Sequence, residues 1–354
     1  MNKIDFEKFA YYPALRTRRA ELLGLDMLEE NIKGKVIPLI TLGKWPRSDD
    51  IGDSAKKIGE IMGGRPFFID MTDNDTHHAD NSKTLLKPDS AFKNWRDFVH
   101  AQTNAIPIVQ FHDGNRREIV QQALKLESTF GRIGFRIRDF QRDPQLTIAA
   151  LSALDRVENA LVFIDAQYIR SAYPAYVAAV TTTINMLRSE VPETVIATLS
   201  TSFPSTRSPF MDSKRECGSI DIQDRDLNEM IGGKAVAMYG DHGSIHSVVY
   251  DAQPMRWSPT IDYATDRTWH FERRINSDSA AGYKSAAQEL ISKFPEISKS
   301  SVWGDKMITE AASGSPHGKS PQGWIAVRVN CHLTRQINFS YNESGDGTDD
   351  DDEL

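Results

Sequence analysis

The sequence predicts an α/β protein, and within that class a single large (β/α)8 barrel of the TIM type. Short runs rich in β-branched and aromatic residues recur along the chain, and segments with helical periodicity separate them. This alternation repeats about eight times, which is typical of parallel strands joined by helical crossovers. An open doubly wound sheet is the alternative. It usually carries a GxGxxG turn after its first strand, whereas here that strand runs into Leu42-Gly43-Lys44-Trp45-Pro46.

The predicted strands are the runs in which β-branched and aromatic residues dominate. They are Val36–Leu42, Pro66–Thr72, Ile106–His112, Arg132–Asp139, Leu161–Ala166, Thr194–Ser202 and Ala235–Asp241, followed by an eighth at Thr260–Tyr263 or Trp269–Arg273. Apolar residues at helical spacing predict the helices Asp49–Met62, Glu118–Phe130, Gln145–Val157, Pro174–Leu187 and Ala280–Phe294. The last segment, Trp324–Phe339, is a strand or a helix.

The charge distribution predicts one domain and a tail. Residues 341–354 contain five Asp and two Glu, and these seven charges equal the formal net charge of −7. The rest of the chain is therefore near neutral, with no dominant nucleic-acid-binding face, although nucleic acid binding stays open. We expect one barrel domain over residues 1–340 and an acidic disordered tail over residues 341–354.

Composition also narrows the class of protein. No apolar run approaches the roughly 18–20 residues of a membrane helix. The first residues, MNKIDFEKFAYYP, lack the apolar core of a signal peptide. The two cysteines, Cys217 and Cys331, are too few and too far apart for a disulfide framework or a cysteine zinc site. We therefore expect a cytoplasmic protein with no membrane partner.

Alternation within the strands predicts where the polar side chains lie. In Arg132–Asp139 one face is apolar and the other carries Arg136 and Arg138. Helices cover the outside of a barrel, so the apolar face should point outward and the arginines inward, near the carboxyl end. The same reasoning places these residues inside or at the upper rim: Asp70, Gln110, His112, Asp165, Thr198, Ser200, Ser202, Tyr239 and Asp241, with Thr41 as a further candidate.

Two explanations of this polar interior are open. Aspartates and arginines could pair with one another in a network that fixes the closure of the barrel. Alternatively, they form a ligand site at the carboxyl-terminal mouth, where barrel enzymes place their chemistry. Arginine forks suit phosphate or carboxylate ligands, and aspartates near a histidine suit Mg²⁺ or Mn²⁺. The sequence holds no HExxH or GxSxG motif that would specify a reaction.

A series of short motifs, in this order along the chain, resembles a known family: Tyr12-Pro13-Ala14-Leu15-Arg16, Arg19-Ala20-Glu21-Leu22, Ile37-Pro38-Leu39, Phe163-Ile164-Asp165, Ser202-Phe203-Pro204, Tyr239-Gly240-Asp241, Asp262-Tyr263-Ala264-Thr265, Trp269, Arg273, Trp324 and Asn330-Cys331-His332. The sequence is similar in these motifs to the beta protein family of phages and bacterial genomes, named for a protein of a T4-type phage. It departs from the family at Thr41, where Glu is common, and at Cys331, which replaces a His. The similarity spans residues of about 11 to 337.

The resemblance implies an association with phages and with bacterial defence or mobile-element loci, without a catalytic mechanism. It also highlights Asp165, Ser202, Asp241, Arg273 and His332.

The leading hypothesis is a protein of phage–host conflict that binds an anionic ligand, such as a nucleotide or a phosphodiester, at the mouth. The expected ligand-binding residues are Arg136, Arg138, Ser202, Arg273 and His332, and the expected catalytic residues are Asp70, His112, Asp165 and Asp241. If the protein is an enzyme, a phosphodiesterase-like hydrolase using Mg²⁺ or Mn²⁺ fits these residues. The alternative is a non-enzymatic partner or sensor subunit that contacts a protein from the same locus, with a purely structural interior.

Overall fold

A computed structural model describes residues 4–248, 257–275, 277–318 and 320–343. The strands are β1 Tyr11–Arg16, β2 Leu39–Leu42, β3 Phe67–Met71, β4 Ala105–Pro107, β5 Ile133–Ile137, β6 Ala160–Tyr168, β7 Val195–Thr201, β8 Cys217–Asp221, β9 Tyr239–Asp241, β10 Thr260–Ala264 and β11 Thr268–Arg273. The helices are α1 Arg19–Asp26, α2 Glu30–Lys33, α3 Ile51–Met62, α4 Ser82–Leu85, α5 Asp89–His100, α6 Arg116–Phe130, α7 Asp143–Leu151, α8 Tyr173–Glu190, α9 Gln223–Met230, α10 Ser279–Lys293, α11 Trp303–Ser313 and α12 Pro321–Glu343.

The strands form two parallel sheets and one antiparallel sheet. The larger parallel sheet has the order β4-β3-β2-β1-β9, and the smaller has the order β5-β6-β7. The antiparallel sheet has the order β10-β11-β8. The α/β class is therefore as predicted.

The prediction of a closed eight-stranded barrel is wrong. The ladders divide into sheets of five, three and three strands. Between the two parallel sheets, the described residues form isolated bridges, Ile108 with Gly134 and Ala197 with Met238, instead of a continuous ladder. Pro107 ends β4 and has no N–H to donate, which limits pairing at that edge. At the other edge of the same sheet, the strand β9 is short, with only three residues.

The predicted eighth strand belongs to a different layer. Both of its candidate segments form strands, but β10 and β11 pair with each other in antiparallel register, Thr260 with Arg273 and Ala264 with Trp269. Strand β8 completes this sheet beside β11. The segment left open as a strand or a helix is the helix α12. The acidic residues 344–354 lie outside the described residues.

Local sequence signals explain where the long helices begin and end. Asp50 caps α3, because its side chain accepts a hydrogen bond from the Gly52 amide at 2.8 Å. Gly63 ends the same helix in the left-handed region, with φ 54°. Asn115 and Glu118 form a reciprocal capping box at the start of α6. Among the described residues, no helix is long and apolar enough to cross a membrane.

An aromatic core packs the two parallel sheets against each other. Phe68 of β3 and Phe163 of β6 meet edge to face, with ring centroids 4.9 Å apart, and Tyr12 of β1 contacts Phe163 at 5.8 Å. Leu161 and Leu199 complete this layer from the smaller sheet. The polar side chains at the carboxyl ends of the strands lie directly beyond this apolar layer, because residues two apart on a strand share a face.

Candidate functional site

The guanidinium group of Arg136 is the centre of a buried polar cluster between the two parallel sheets. Its Nε and Nη2 donate to Oδ2 of Asp165 at 3.0 and 2.7 Å. Its Nη1 donates to Asp70 Oδ2 at 3.0 Å and to Thr41 Oγ1 at 2.8 Å. Gln110 Nε2 donates to the second oxygen of Asp70 at 3.0 Å. The structure therefore brings together Asp70, Asp165 and Arg136, as the strand alternation predicts.

Mutual pairing keeps both aspartates of this cluster ionised. Burial alone raises the pKa of Asp70, but the charges of Arg138 and Arg136 outweigh it and the net pKa lies below its ordinary value. Burial likewise raises the pKa of Asp165, but His242 and Arg136 outweigh burial, and the net pKa of Asp165 is also lowered. Each carboxylate thus depends on a cationic partner.

A narrow pocket of about 290 Å³ lies above this cluster. Arg138, Asp165 and His242 line it. Arg138 is ion-paired with Asp70 and with Asp73, and its Nε has no hydrogen-bond partner among the described residues. The His242 Nε2 lies 2.9 Å from Asp165 Oδ1. Because that carboxylate is ionised, Nε2 carries a proton and donates it, and in the neutral imidazole the lone pair then lies on Nδ1.

Asp241 and His332 belong to a second buried network, so their predicted place at the mouth is wrong. Tyr11 and Tyr239 donate their hydroxyl groups to Asp241 at 2.7 and 2.8 Å. His332 Nε2 contacts the same carboxylate at 2.9 Å, while Trp269 Nε1 donates to His332 Nδ1 at 3.2 Å. Since Nδ1 accepts, Nε2 is the protonated nitrogen of this histidine. Burial raises the pKa of Asp241, but His332 and the hydroxyl donors reverse this and lower it to about 2.

Ser202 also lies away from the mouth. Its Oγ donates to Asp224 Oδ2 at 2.7 Å, and Ser200 donates to the other oxygen of Asp224 at 3.1 Å. The prediction assumed that the polar face of every strand points inward. On β7 the polar face meets the polar side chains of α9 instead, where Asn228 donates to Thr198 at 3.2 Å. Burial and the nearby Asp241 charge raise the pKa of Asp224.

His112 stands apart from all of these groups. It is exposed, and its Nε2 lies 3.3 Å from Asp113, its neighbour in sequence. Strand β4 ends at Pro107, so His112 follows the strand by several residues and is not held at its end. The expectation that His112 joins the aspartates is therefore wrong.

Arg273 lines a second and wider cleft of about 1020 Å³. This cleft lies between the carboxyl ends of β1 and β2 and the antiparallel sheet with the start of α12. The wide cleft and the narrow pocket share residues Arg16, Glu21, Thr41, Thr72, Ile245 and Val248, so they adjoin each other. Arg273 is therefore separate from Arg136 and Arg138.

Positive charge predominates in the wide cleft. Seven basic side chains and two carboxylates line it; the basic residues are Arg16, Arg18, Arg19, Lys44, Arg207, Arg273 and Arg328. Arg16 pairs with Glu21 at 3.1 Å. Asp262 receives both Arg207, through Nε at 2.7 Å, and Arg328, through Nη1 at 2.8 Å. One carboxylate therefore balances two arginines, which leaves an excess of positive charge.

The expected Mg²⁺ or Mn²⁺ site has no candidate ligand set in the described ranges, where no group of three or more His, Cys, Asp or Glu side chains could hold a metal ion. Arg136 occupies the space between Asp70 and Asp165 that a cation would need. An arginine therefore takes the place that the sequence analysis considered for a metal ion.

Sequence reasoning missed several residues of the site. Arg207 lies in a loop and Arg328 on α12, so alternation within strands could not find them. His242 follows β9 in the motif Asp241-His242-Gly243, whose only signal was the proximity of a histidine to a strand end. Resemblance to a family highlighted Arg273 but did not place it in a cleft.

Two comparisons with known proteins agree with each other. Residues 11–338 match the family described as Beta protein. A protein named Protein beta, from Enterobacteria phage P4, is 46% identical to this chain over 340 residues, which cover 96% of each chain. This relative comes from phage P4 and not from a T4-type phage, but the family predicted from the motifs is confirmed. The chain therefore belongs to the Beta protein family, which has a member encoded by a phage.

Proposed function

We propose that this chain binds an anionic, phosphate-bearing ligand, a nucleotide or a phosphodiester, in the wide cleft, and that this binding serves phage–host conflict. The observation that carries the proposal is the imbalance of seven basic side chains against two carboxylates in one cleft. Such a concentration of one sign of charge attracts ions of the other sign and favours their binding. The phage-encoded relative supports the biological setting.

Arg273 is the side chain best suited to the phosphate. Its Nη1 contacts Met211 Sδ at 3.6 Å and its Nη2 contacts Ser258 Oγ at 3.4 Å, and neither of these partners is a carboxylate. Its planar fork can therefore give both arms to an oxyanion. Arg136, by contrast, already donates to Thr41 and to two aspartates, so its role is to hold the two parallel sheets together.

The first turn of α12 adds to this attraction. Pro321 and Gln322 line the wide cleft, and they begin a helix of 23 residues. The start of a helix carries a partial positive charge, which favours anions. The helix thus contributes in the same direction as the arginines.

Calorimetric titration with inorganic tripolyphosphate tests the proposal. We expect binding by the wild type and about tenfold weaker binding by Arg273→Gln, because a hydrogen bond to a charged group contributes about 1.5–3 kcal/mol. Arg117→Gln is the matched control, since it removes one exposed arginine from α6. An absence of binding, or equal affinities in both variants, contradicts the proposal. In the first case a protein partner from the same locus becomes the better candidate.

A hydrolytic activity is the second candidate, and the Asp165–His242 pair favours it. Asp165 holds His242 Nε2, so Nδ1 can accept a proton from a water molecule at a substrate. Release of p-nitrophenol from bis(p-nitrophenyl) phosphate measures this activity. We expect His242→Gln to abolish a rate that Arg117→Gln leaves unchanged. If the wild type gives no rate above buffer, the protein binds its ligand without cleaving this class of ester.

A further inference from the structure

Three aromatic rings form a column in the wall of the wide cleft. Tyr283 of α10 stacks on Trp324 of α12, with ring centroids 4.7 Å apart and an angle of 21°. Trp257 also stacks on Tyr283, with ring centroids 6.2 Å apart and an angle of 28°. All three rings line the cleft. The column therefore begins in the core and ends at Trp257.

Exposure distinguishes the last ring from the other two. Tyr283 and Trp324 are buried, whereas Trp257 is 42% exposed. One face of its ring is directed to Tyr283, so another ring could extend the column on the exposed side. Phe203 is the remaining phenylalanine, tyrosine or tryptophan of the cleft, and the guanidinium groups of Arg328 and Arg207 cover it at 4.1 and 5.7 Å from its ring centre. Among the described phenylalanine, tyrosine and tryptophan side chains that line the cleft, Trp257 is thus the one with a largely exposed ring.

The phosphate-binding arginine lies next to this ring. Arg273 Nη2 contacts Ser258 Oγ at 3.4 Å, and Ser258 follows Trp257 in sequence. The register of β10 with β11 fixes this proximity, because Thr260 pairs with Arg273 and the Arg274 amide donates to the Pro259 carbonyl at 2.8 Å. A flat apolar surface and a cationic fork are therefore adjacent in the cleft.

We propose that Trp257 is the stacking platform for a nucleobase, so that the ligand of the wide cleft is a mononucleotide whose phosphates lie on Arg273. This inference rests on the proposed function and specifies its ligand. Every nucleobase has a π face that stacks on an aromatic side chain, and arginine binds phosphate through its fork. A single exposed ring fits one base and does not provide the succession of platforms that a long single strand uses.

Paired titrations with tripolyphosphate and ATP, both without divalent metal, test the platform. We expect the wild type to bind ATP about tenfold more tightly than tripolyphosphate, as stacking of one base typically provides. Trp257→Ala should bind the two ligands with equal affinity, while Trp257→Phe keeps much of the preference. Trp303→Ala is the control, because it removes a partly buried tryptophan that packs on His317, outside the cleft.

The outcomes separate this inference from the proposed function. Equal affinities of the wild type for ATP and tripolyphosphate, or an unchanged preference in Trp257→Ala, overturn the base platform but leave anion binding intact. If neither ligand binds, the proposed function fails, and the platform fails with it. Should Trp257→Ala unfold, Trp257→Leu keeps the apolar volume without the ring, and its comparison with Trp257→Phe decides the question.

Discussion

At the scale of single residues, Arg136 shows how the polar interior is stabilised. Two carboxylates, Asp70 and Asp165, are buried on different sheets, and this one guanidinium group reaches both from a third strand. Removing it takes one cationic partner from each buried carboxylate and leaves Asp70 with Arg138 and Asp165 with His242. Loss of a buried partner is far more costly than loss of a surface ion pair. The sequence analysis left open whether these charges form a structural network or a ligand site. The contacts favour the network for Arg136, since all three of its guanidinium nitrogens donate to side chains of the cluster.

We expect Arg136→Ala to lower the free energy of unfolding by about 3–5 kcal/mol, because the variant removes the partner that two buried carboxylates share. Urea unfolding followed by circular dichroism measures the loss. Arg142→Ala is the control, since Arg142 is a largely exposed partner of Asp143. A loss below about 1 kcal/mol in Arg136→Ala, the range of surface pairs, would show that the cluster is solvated and free for ligand binding.

Asp241 makes folding sensitive to acid. Its pKa is about 2 in the folded protein, below the ordinary value of about 3.9. A group whose folded pKa is lowered contributes stability above its unfolded pKa, and this contribution is lost as the pH falls through the folded pKa. The window for Asp241 therefore extends from about pH 4 down to about pH 2.

We expect the wild type to lose about 2–3 kcal/mol more unfolding free energy than Asp241→Asn between about pH 4 and pH 2. The reason is that each pKa unit between the folded and unfolded states corresponds to about 1.4 kcal/mol. The variant is less stable at pH 7, but its further loss on acidification is smaller than that of the wild type. Urea unfolding at closely spaced pH values across the window measures both curves. Parallel curves for wild type and variant would mean that the partners of Asp241 do not stabilise its ionised form. Asp113→Asn is the surface control.

At the scale of elements, strand alternation succeeded where a strand faces other strands. On β3, β5 and β6 the residues at alternate positions meet across the two parallel sheets, so the period of two locates Asp70, Arg136 and Asp165 correctly. On β7 and β9 polar side chains meet helices α9 and α12 instead, and the same rule gave the wrong face. Sequence alternation identifies a face but not the element that packs on it.

Other elements carried too weak a signal to be predicted. Strand β1 contains Pro13, which lowers the strand preference of its run, although β1 lies between β2 and β9. Strand β8, Cys217–Asp221, contains Gly218 and Ser219 among its five residues. Its partner β11 supplies the pairing that the local sequence does not favour.

The packing of α12 on α1 depends on one glycine. A Cβ atom added at Gly24 would lie 2.7 Å from Val329 Cγ1 and 2.9 Å from the Ala326 carbonyl oxygen. We expect Gly24→Ala to lose about 1–3 kcal/mol of stability, because helix backbones would have to separate. Gly59→Ala within α3 meets no atom within 4 Å and should gain about 0.5–1 kcal/mol from its higher helix propensity.

Thermal or urea unfolding under one set of conditions measures the change in stability of each glycine variant. A loss of stability in Gly24→Ala together with a gain in Gly59→Ala supports the close approach of α1 and α12. A neutral Gly24→Ala would show that the helices can move apart without cost, and the start of α12 would then not be rigidly placed beside the wide cleft.

At the scale of the whole molecule, the α/β class and the position of polar groups at strand ends follow from the sequence, but the wide cleft does not. Its basic residues come from the end of β1 with the start of α1, from two loops, from β11 and from α12, and these parts are distant in sequence. No local pattern brings Arg16, Arg273 and Arg328 into one cleft. The additional antiparallel sheet creates this surface, and the prediction of a closed barrel left no place for it.

The net charge of the chain does not reveal this cleft, because the seven acidic residues in 341–354 account for the whole net charge of −7 and the rest of the chain is near neutral. Anion binding there should consequently follow local charge and not the overall charge of the molecule. We expect the affinity for tripolyphosphate to fall as NaCl rises from about 0.05 to 0.5 M, because screening lengths shorten from more than 10 Å to a few ångströms. Arg273→Gln should show a shallower dependence, whereas Arg117→Gln should match the wild type. Calorimetry at four salt concentrations measures the slopes. An affinity that does not change with salt would mean that uncharged contacts dominate, and the excess of arginines would then have no part in binding.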